Sequence, residues 1–334
     1  MALLTDAAIQ AAINAKTKPL GALGRIESLA ADIARFQNTL RPRMERCGLI
    51  IFAADHGIAG KGVSKFPQAV TRQMVLNFLA GGAAANVFAA TSGVSLRVVD
   101  AGVAGDPIIH SRLISRRIAP GTASSLHGPA MTPAQLSAAL AAGKALAEEG
   151  NDDALAFGEM GIANTSAATL IGHKLTGDPI SALTGRGTGL DDAALARKTE
   201  ILARAAARTP DNLSAEEALI QYGGFEIAMM AGAMLGAAGA GRMILVDGFI
   251  ATAAALAAAR LDPATRRAMI FAHISPEPGH QHLLAALDAA PLLSLGMRLG
   301  EGTGALLAWP LVRAAAAMLR DMASFEDAGV SGPA

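Results

Sequence analysis

Two kinds of hydrophobic pattern alternate along this chain. Short, largely apolar runs stop abruptly on a polar residue or glycine: Leu49-Ile50-Ile51-Phe52-Ala53-Ala54 ends at Asp55-His56-Gly57, Leu96-Arg97-Val98-Val99, interrupted by one arginine, at Asp100-Ala101-Gly102, and Ala154-Leu155-Ala156-Phe157 at Gly158-Glu159. Pro179 to Leu183 ends at Thr184-Gly185-Arg186, Met243-Ile244-Leu245-Val246 at Asp247-Gly248, and Met269-Ile270-Phe271-Ala272 at His273. Near-continuous runs of this length suit strands buried on both faces of a parallel sheet. The segments between them, such as Thr132 to Glu149 and Ala251 to Arg260, are rich in alanine and leucine and suit helices. Strands alternating with helices predict an α/β fold, a mostly parallel sheet with helices on both faces.

The two chain ends follow a different pattern. Within residues 4–38, Leu20, Leu23, Ile26, Leu29 and Ile33 recur at threes and fours, the helical period. A break is expected near Lys18-Pro19-Leu20-Gly21, because the residue before a proline is driven out of the α region. After the last apolar run the chain passes Gly300-Glu301-Gly302-Thr303-Gly304 and enters a second helical segment, 305–322. Packed together, residues 1–38 and 305–334 would form a small helical domain beside a large α/β domain of 39–304. Only the tail, Asp327 to Ala334, is expected to fray.

Composition narrows the function classes. The 334 residues are 52% hydrophobic and 17% charged, which excludes disorder and supplies a sizeable core. Formal net charge is zero and no basic run occurs, so a nucleic-acid partner has no electrostatic footprint. The uncharged stretch Ile227 to Gly241 is too short to span a bilayer, and no membrane partner is expected. One cysteine, Cys47, excludes an intrachain disulfide; with no secretory leader read at the start, a cytoplasmic protein is expected. Small-molecule binding is the function class that remains.

Ligands of open parallel sheets bind beyond the carboxyl ends of the strands, where the polar run-endings gather. Gly158-Glu159-Met160-Gly161-Ile162-Ala163-Asn164-Thr165-Ser166 follows one run and opens a helix, so its free N–H groups suit an anion such as phosphate. Turn chemistry and capping explain the same residues equally well. Glu159 would repel a phosphate unless it serves ribose hydroxyls or chemistry. Thr184-Gly185-Arg186-Gly187-Thr188-Gly189 is a second glycine loop without the ending of a nucleotide-triphosphate loop. Lys198 behind it is either a phosphate ligand or a solvated surface residue. His273 to His282 invites a metal reading, but its spacing matches no standard pattern, and Ser275 as an anion donor competes with it. No metal and no cofactor are expected. Gly300, Gly302 and Ala305 imitate a dinucleotide fingerprint that lacks the strand it requires. Glu301, alone among those glycines, is the leading catalytic carboxylate. Segment 62–79, with Ser64, Phe66 and Gln73, suits a pocket for a flat heteroaromatic ring.

These motifs in this order resemble one family, the nicotinate-nucleotide:dimethylbenzimidazole phosphoribosyltransferases. Lys18-Pro19-Leu20-Gly21-Ala22-Leu23-Gly24, Ala54-Asp55-His56-Gly57, Pro67-Gln68, Gly158-Glu159-Met160-Gly161, Gly223-Gly224-Phe225-Glu226 and Arg298-Leu299-Gly300-Glu301-Gly302-Thr303-Gly304 carry the likeness over nearly the whole chain. The resemblance implies a Rossmann-like domain, a small helical unit from both termini and a homodimer. It also implies transfer of phosphoribose from nicotinate mononucleotide to a benzimidazole base. It places the general base at Glu301 and a second functional carboxylate at Glu159. Nucleotide and phosphate contacts fall at Gly158, Met160, Gly161, Asn164, Gly185, Arg186, Lys198 and Ser275, and ring contacts at Ser64, Phe66, Gln73 and Leu299. Ala163 departs from the glycine of many relatives. A binding protein on the same fold, or a transferase for another base, would share these features.

Overall fold

The computed structural model describes residues 3–187 and 189–331. Six strands form one sheet: β1 Cys47–Ala54, β2 Ser95–Gly102, β3 Leu113–Ser115, β4 Ala154–Met160, β5 Met243–Val246 and β6 Met269–Phe271. Their spatial order is β3-β2-β1-β4-β5-β6, and every neighbouring pair is parallel. That is the doubly wound Rossmann order, whose direction of winding reverses between β1 and β4. The pairing Phe52 with Glu159 and Ala53 with Met160 fixes the register at this reversal.

Each strand divides its residues between two cores with the period of two that a pleat imposes. Ile50, Phe52, Leu155, Phe157, Ile244 and Val246 face one layer of helices. Leu49, Ile51, Ala53, Ala156 and Leu245 face the other, where they meet Leu29, Ile33 and Trp309. The abundance of small residues has a direct use in the first layer. Gly143 and Gly232 leave no room for a Cβ between helix Pro133–Glu148 and helix Phe225–Gly239, so the two pack backbone against backbone.

The chain ends meet on the second face. Helices Asp6–Asn14 and Arg25–Gln37 join helix Thr303–Asp321, and the termini are tied where Thr17 N donates to Ala323 O at 3.1 Å and Phe325 N to Ala15 O at 2.9 Å. The break between the first two helices holds a buried ion pair, Lys18 with Glu27 at 2.8 Å. The apolar core of this group runs without interruption into the sheet face above it.

Two local readings are corrected, and one strand escapes the sequence reading. Pro179 to Leu183 is not a strand: Ile180–Leu183 is a single helical turn entered from Pro179. Proline suits a helix start, and a run of four residues, Ile180-Ser181-Ala182-Leu183, carries no period to separate the two conformations. β3 has only three residues, amid His110, Arg112 and Arg116, and gives no apolar run. The tail is ordered as far as a short helix, Phe325–Ala328, capped by Ser324; 332–334 lie outside the described residues. Separately, the run Ala69–Ser92 is long and apolar enough to cross a membrane by length and composition. It folds instead as two helices, Ala69–Ala80 and Ala84–Ser92, parted at left-handed Gly81.

Candidate active site

The carboxyl ends of β4, β5 and β6 open into a cavity of about 320 Å³. Glu159, Met160, Gly161 and Asn164 line it from β4, Asp247 from β5, and His273, Ser275 and Glu277 from the segment after β6. Glu301 and Leu299 close it from the loop before helix Thr303–Asp321, and Phe66 from the segment after β1. A larger cavity, about 620 Å³, lies between Arg25, Arg35 and Arg267 and holds none of these groups.

The Glu301 loop is built from three consecutive residues with positive φ: Gly300 at 86°, Glu301 at 63° and Gly302 at 82°. A left-handed glutamate is strained, whereas its glycine neighbours are not. Gly158 lies beneath, where a Cβ would collide with the Glu301 backbone. Gly158 therefore does not line the cavity; its missing side chain lets the Glu301 loop sit on β4. Glu301 is 5% exposed, and its Oε2 accepts from Ala85 N at 3.2 Å. Burial raises its pKa, opposed by that hydrogen bond and reinforced by Asp247.

Glu159 is buried at the end of β4 and accepts a hydrogen bond from the Asn164 side-chain amide. Burial lifts its pKa to about 8, with Glu226, Asp247 and Glu301 adding to the rise against the Asn164 bond. At neutral pH these surroundings keep the acid largely protonated.

Helix Asn164–Thr176 begins at Ala163, which is left-handed at φ 78°. The methyl group at that departure from glycine is strained but leaves the turn intact. Beside it Lys198 is fully buried rather than solvated, donating to Thr165 Oγ1 at 3.0 Å and Gly185 O at 3.1 Å. Burial draws its pKa down to about 8, against the pull of Glu277. Lys198, Ser64, Asn164 and Arg186 line a small recess of about 40 Å³ that shares Gly161 and Thr165 with the main cavity. Arg186 is occupied locally by Leu190 O and Asp192. Gly185 faces the opposite side of Glu277, and Thr188 of the same loop lies outside the described residues. Ser275 is buried, held by Ser275 N donating to His280 Nδ1 at 2.9 Å.

On the ring side, Phe66 and Leu299 line the cavity yet are 46% and 57% exposed, which leaves two apolar walls open to a flat partner. Ser64 stands in the recess beside Lys198 rather than among these walls. Gln73 is exposed on helix Ala69–Ala80; its neighbours Val70 and Met74 reach the cavity, and it does not.

Several contributors escape motif reading. Asp247 grips the start of helix Thr303–Asp321, and His273 Nε2 stands 3.7 Å from it. Beneath Gly161 the buried pair His56 and Glu226 meets at 2.6 Å. Burial works against the charge on His56, but Glu226 overrides it and holds the imidazole pKa above its ordinary value. Asp247, His56 and His273 follow apolar runs, and His56 and Glu226 stand in motifs that carry the family likeness, but nothing local assigned any of them a part in the site. The histidines after β6 have separate partners: His280 meets Thr252, its pKa pushed down to about 3 by burial, and His282 meets Asp178. Among the described residues no three His, Cys, Asp or Glu side chains are grouped to hold a metal.

Comparison with known proteins agrees with this geometry. A family model described as phosphoribosyltransferase matches residues 4–330. The nicotinate-nucleotide–dimethylbenzimidazole phosphoribosyltransferase of Cupriavidus taiwanensis is 56% identical over 97% of this chain and 94% of its own. That of Aromatoleum aromaticum is 54% identical over 97% and 95%. The crystal structure of CobT from Thermus thermophilus superposes with a TM-score of 0.95 at 44% identity, covering 98% of this chain and 99% of that one. The chain belongs to the nicotinate-nucleotide:dimethylbenzimidazole phosphoribosyltransferase family, which moves phosphoribose from nicotinate mononucleotide to 5,6-dimethylbenzimidazole, giving α-ribazole 5′-phosphate and nicotinate for the nucleotide loop of cobalamin.

Proposed function

We propose that Glu301 is the general base of this transfer. The observation that carries the reading is a buried carboxylate of raised proton affinity at the mouth of the cavity, beside apolar walls suited to a benzimidazole. One imidazole nitrogen attacks C1′ of the ribose as the bond from C1′ to the pyridinium nitrogen breaks. The bond electrons return to the pyridine ring, which leaves neutral and needs no acid. The second imidazole nitrogen releases its proton to Glu301, so one base suffices. Attack opposite the leaving group converts a β-nucleotide into an α-product and requires a ring on each face of the ribose.

Phosphate bound by Lys198, Ser275 and the Gly161–Thr165 turn supplies positioning energy away from the reacting carbon. Glu159 stands nearer the ribose. The positive charge that builds on the sugar favours its ionised form and is stabilised by it. Phe66 and Leu299 hold the incoming ring. Incubation with nicotinate mononucleotide and a panel of benzimidazoles, purines and phenols, with nicotinate as the readout, tests the whole scheme. No nicotinate with any base would refute it.

The protein is further proposed to work as a cytoplasmic homodimer, with residues 1–38 and 305–334 acting as one unit. Exposed Leu20, Leu76 and Val87 support the dimer as apolar surface for a second copy. Sedimentation at micromolar concentration tests it, and a monomer would overturn it.

A further inference from the structure

We propose that Asp247 is the positioning residue of Glu301: it locks the left-handed loop in its reactive shape and lends it negative charge. The inference rests on Glu301 being the base.

Three observations converge on this aspartate. It leaves the carboxyl end of β5, a buried strand, and is itself 3% exposed. Its two oxygens face the loop, Oδ2 accepting from Gly302 N at 3.2 Å and Oδ1 from Ala305 N at 3.0 Å. Both donors are among the first amides of helix Thr303–Asp321, which has no side-chain cap of its own. A side chain from another element thus does the capping, and the residue just before the capped turn is Glu301. Finally, Gly304 has no room for a Cβ beside Asp247 Oδ1 and the His273 ring, so the clamp closes against the helix backbone.

A left-handed glutamate between two left-handed glycines does not keep that shape unaided. Charge-assisted bonds from two buried amides supply the restraint. The same carboxylate also raises the proton affinity of Glu301, as burial does more strongly. The other titratable groups lining the same cavity are Glu159 from β4, His273 and Glu277 from the segment after β6 and Arg298 from the loop's own segment; helix Ala84–Ser92, which provides the Ala85 amide, carries none. His273 stabilises the ionised form of Asp247, whose own pKa burial raises. Asp247 thereby serves the chemistry through Glu301.

The test is the pH dependence of turnover for wild type, Asp247→Asn and Glu301→Gln. Asp247→Asn removes the charge and keeps one acceptor. Its acid limb is expected to move to lower pH, and kcat to fall about tenfold or more while KM for the nucleotide changes less. The loss should shrink with a more acidic azole, whose proton a weaker base still removes. If Glu301→Gln abolishes turnover while Asp247→Asn keeps the wild-type acid limb, the inference fails and the base assignment stands. If Glu301→Gln retains turnover, the base assignment fails first. Carboxyl NMR on the wild-type protein needs no foldable variant: Glu301 should titrate above the ordinary glutamate range, and an ordinary value overturns the proposal.

Discussion

Gly300 lies directly against the carboxylate of Glu159, with no space for a Cβ between them and a φ of 86° that disfavours one. The two acids of the site are therefore spaced by a missing side chain. Gly300→Ala should displace both Glu159 and the Glu301 loop. We expect kcat to fall about 100-fold from misplacement on the scale of an ångström. Stability should drop by about 1–2 kcal/mol from the strained backbone. Steady-state kinetics and thermal melting read the two effects separately.

Glu301→Gln keeps the shape of the side chain and removes its basicity. Turnover should fall by about 10² to 10⁴, while calorimetry shows nicotinate mononucleotide binding largely as in wild type. A variant with near-normal turnover would transfer the proton elsewhere, and Glu301 would not be the base.

Lys198→Ala removes the buried cation near the helix start and leaves Glu277 with only Arg298 as a counter-charge. KM for the nucleotide should rise well above KM for the ring base, by about tenfold or more, as for a lost charged hydrogen bond. Inorganic phosphate should inhibit the wild type more than the variant. Equal changes in both KM values would argue for a merely structural lysine.

Glu159 links activity to stability. Its folded pKa of about 8 stands above the ordinary value of 4.5, so below pH 4.5 the group is neutral in both states and costs nothing. Between those values the unfolded chain releases its proton first, and stability contributed by this residue falls as pH rises, levelling above pH 8. Glu159→Gln should flatten that decline and stabilise the protein at pH 8 by about 2 kcal/mol, at the expense of kcat. Chemical denaturation at pH 5 and pH 8 checks it; a wild-type protein more stable at pH 8 than Glu159→Gln would contradict the assignment.

The sheet was legible because five of its six strands carry short, largely apolar runs that end on polar residues or glycine. β3 was hidden by its brevity, and Ile180–Leu183 by the lack of any period in so short a run. In the site, Glu301 and Glu159 stood out as carboxylates among glycines. Asp247 and His56 ended apolar runs as visibly, but their roles depend on partners about sixty and 170 residues away, Gly302 and Glu226, which no local pattern announces. Lys198 shows the converse: a lone lysine on a helix reads as solvated, and only tertiary packing buries it. Gln73 shares helix Ala69–Ala80 with Val70 and Met74, and only the helix phase turns it to solvent while they reach the cavity.

The joining of the two chain ends sets a condition on biosynthesis. Helices Asp6–Asn14 and Arg25–Gln37 leave the ribosome first, yet the helix they pack on, Thr303–Asp321, is made last. Until then their apolar faces lack a partner, and such long-range closure is slow and prone to side reactions. That helix starts at the Glu301 loop, so the Glu301 carboxylate takes its shape only when the helix docks beneath the sheet. A chain cut short near its end would lose the anchor of its active site together with its N-terminal packing, and incomplete copies of this enzyme would be both unstable and inert.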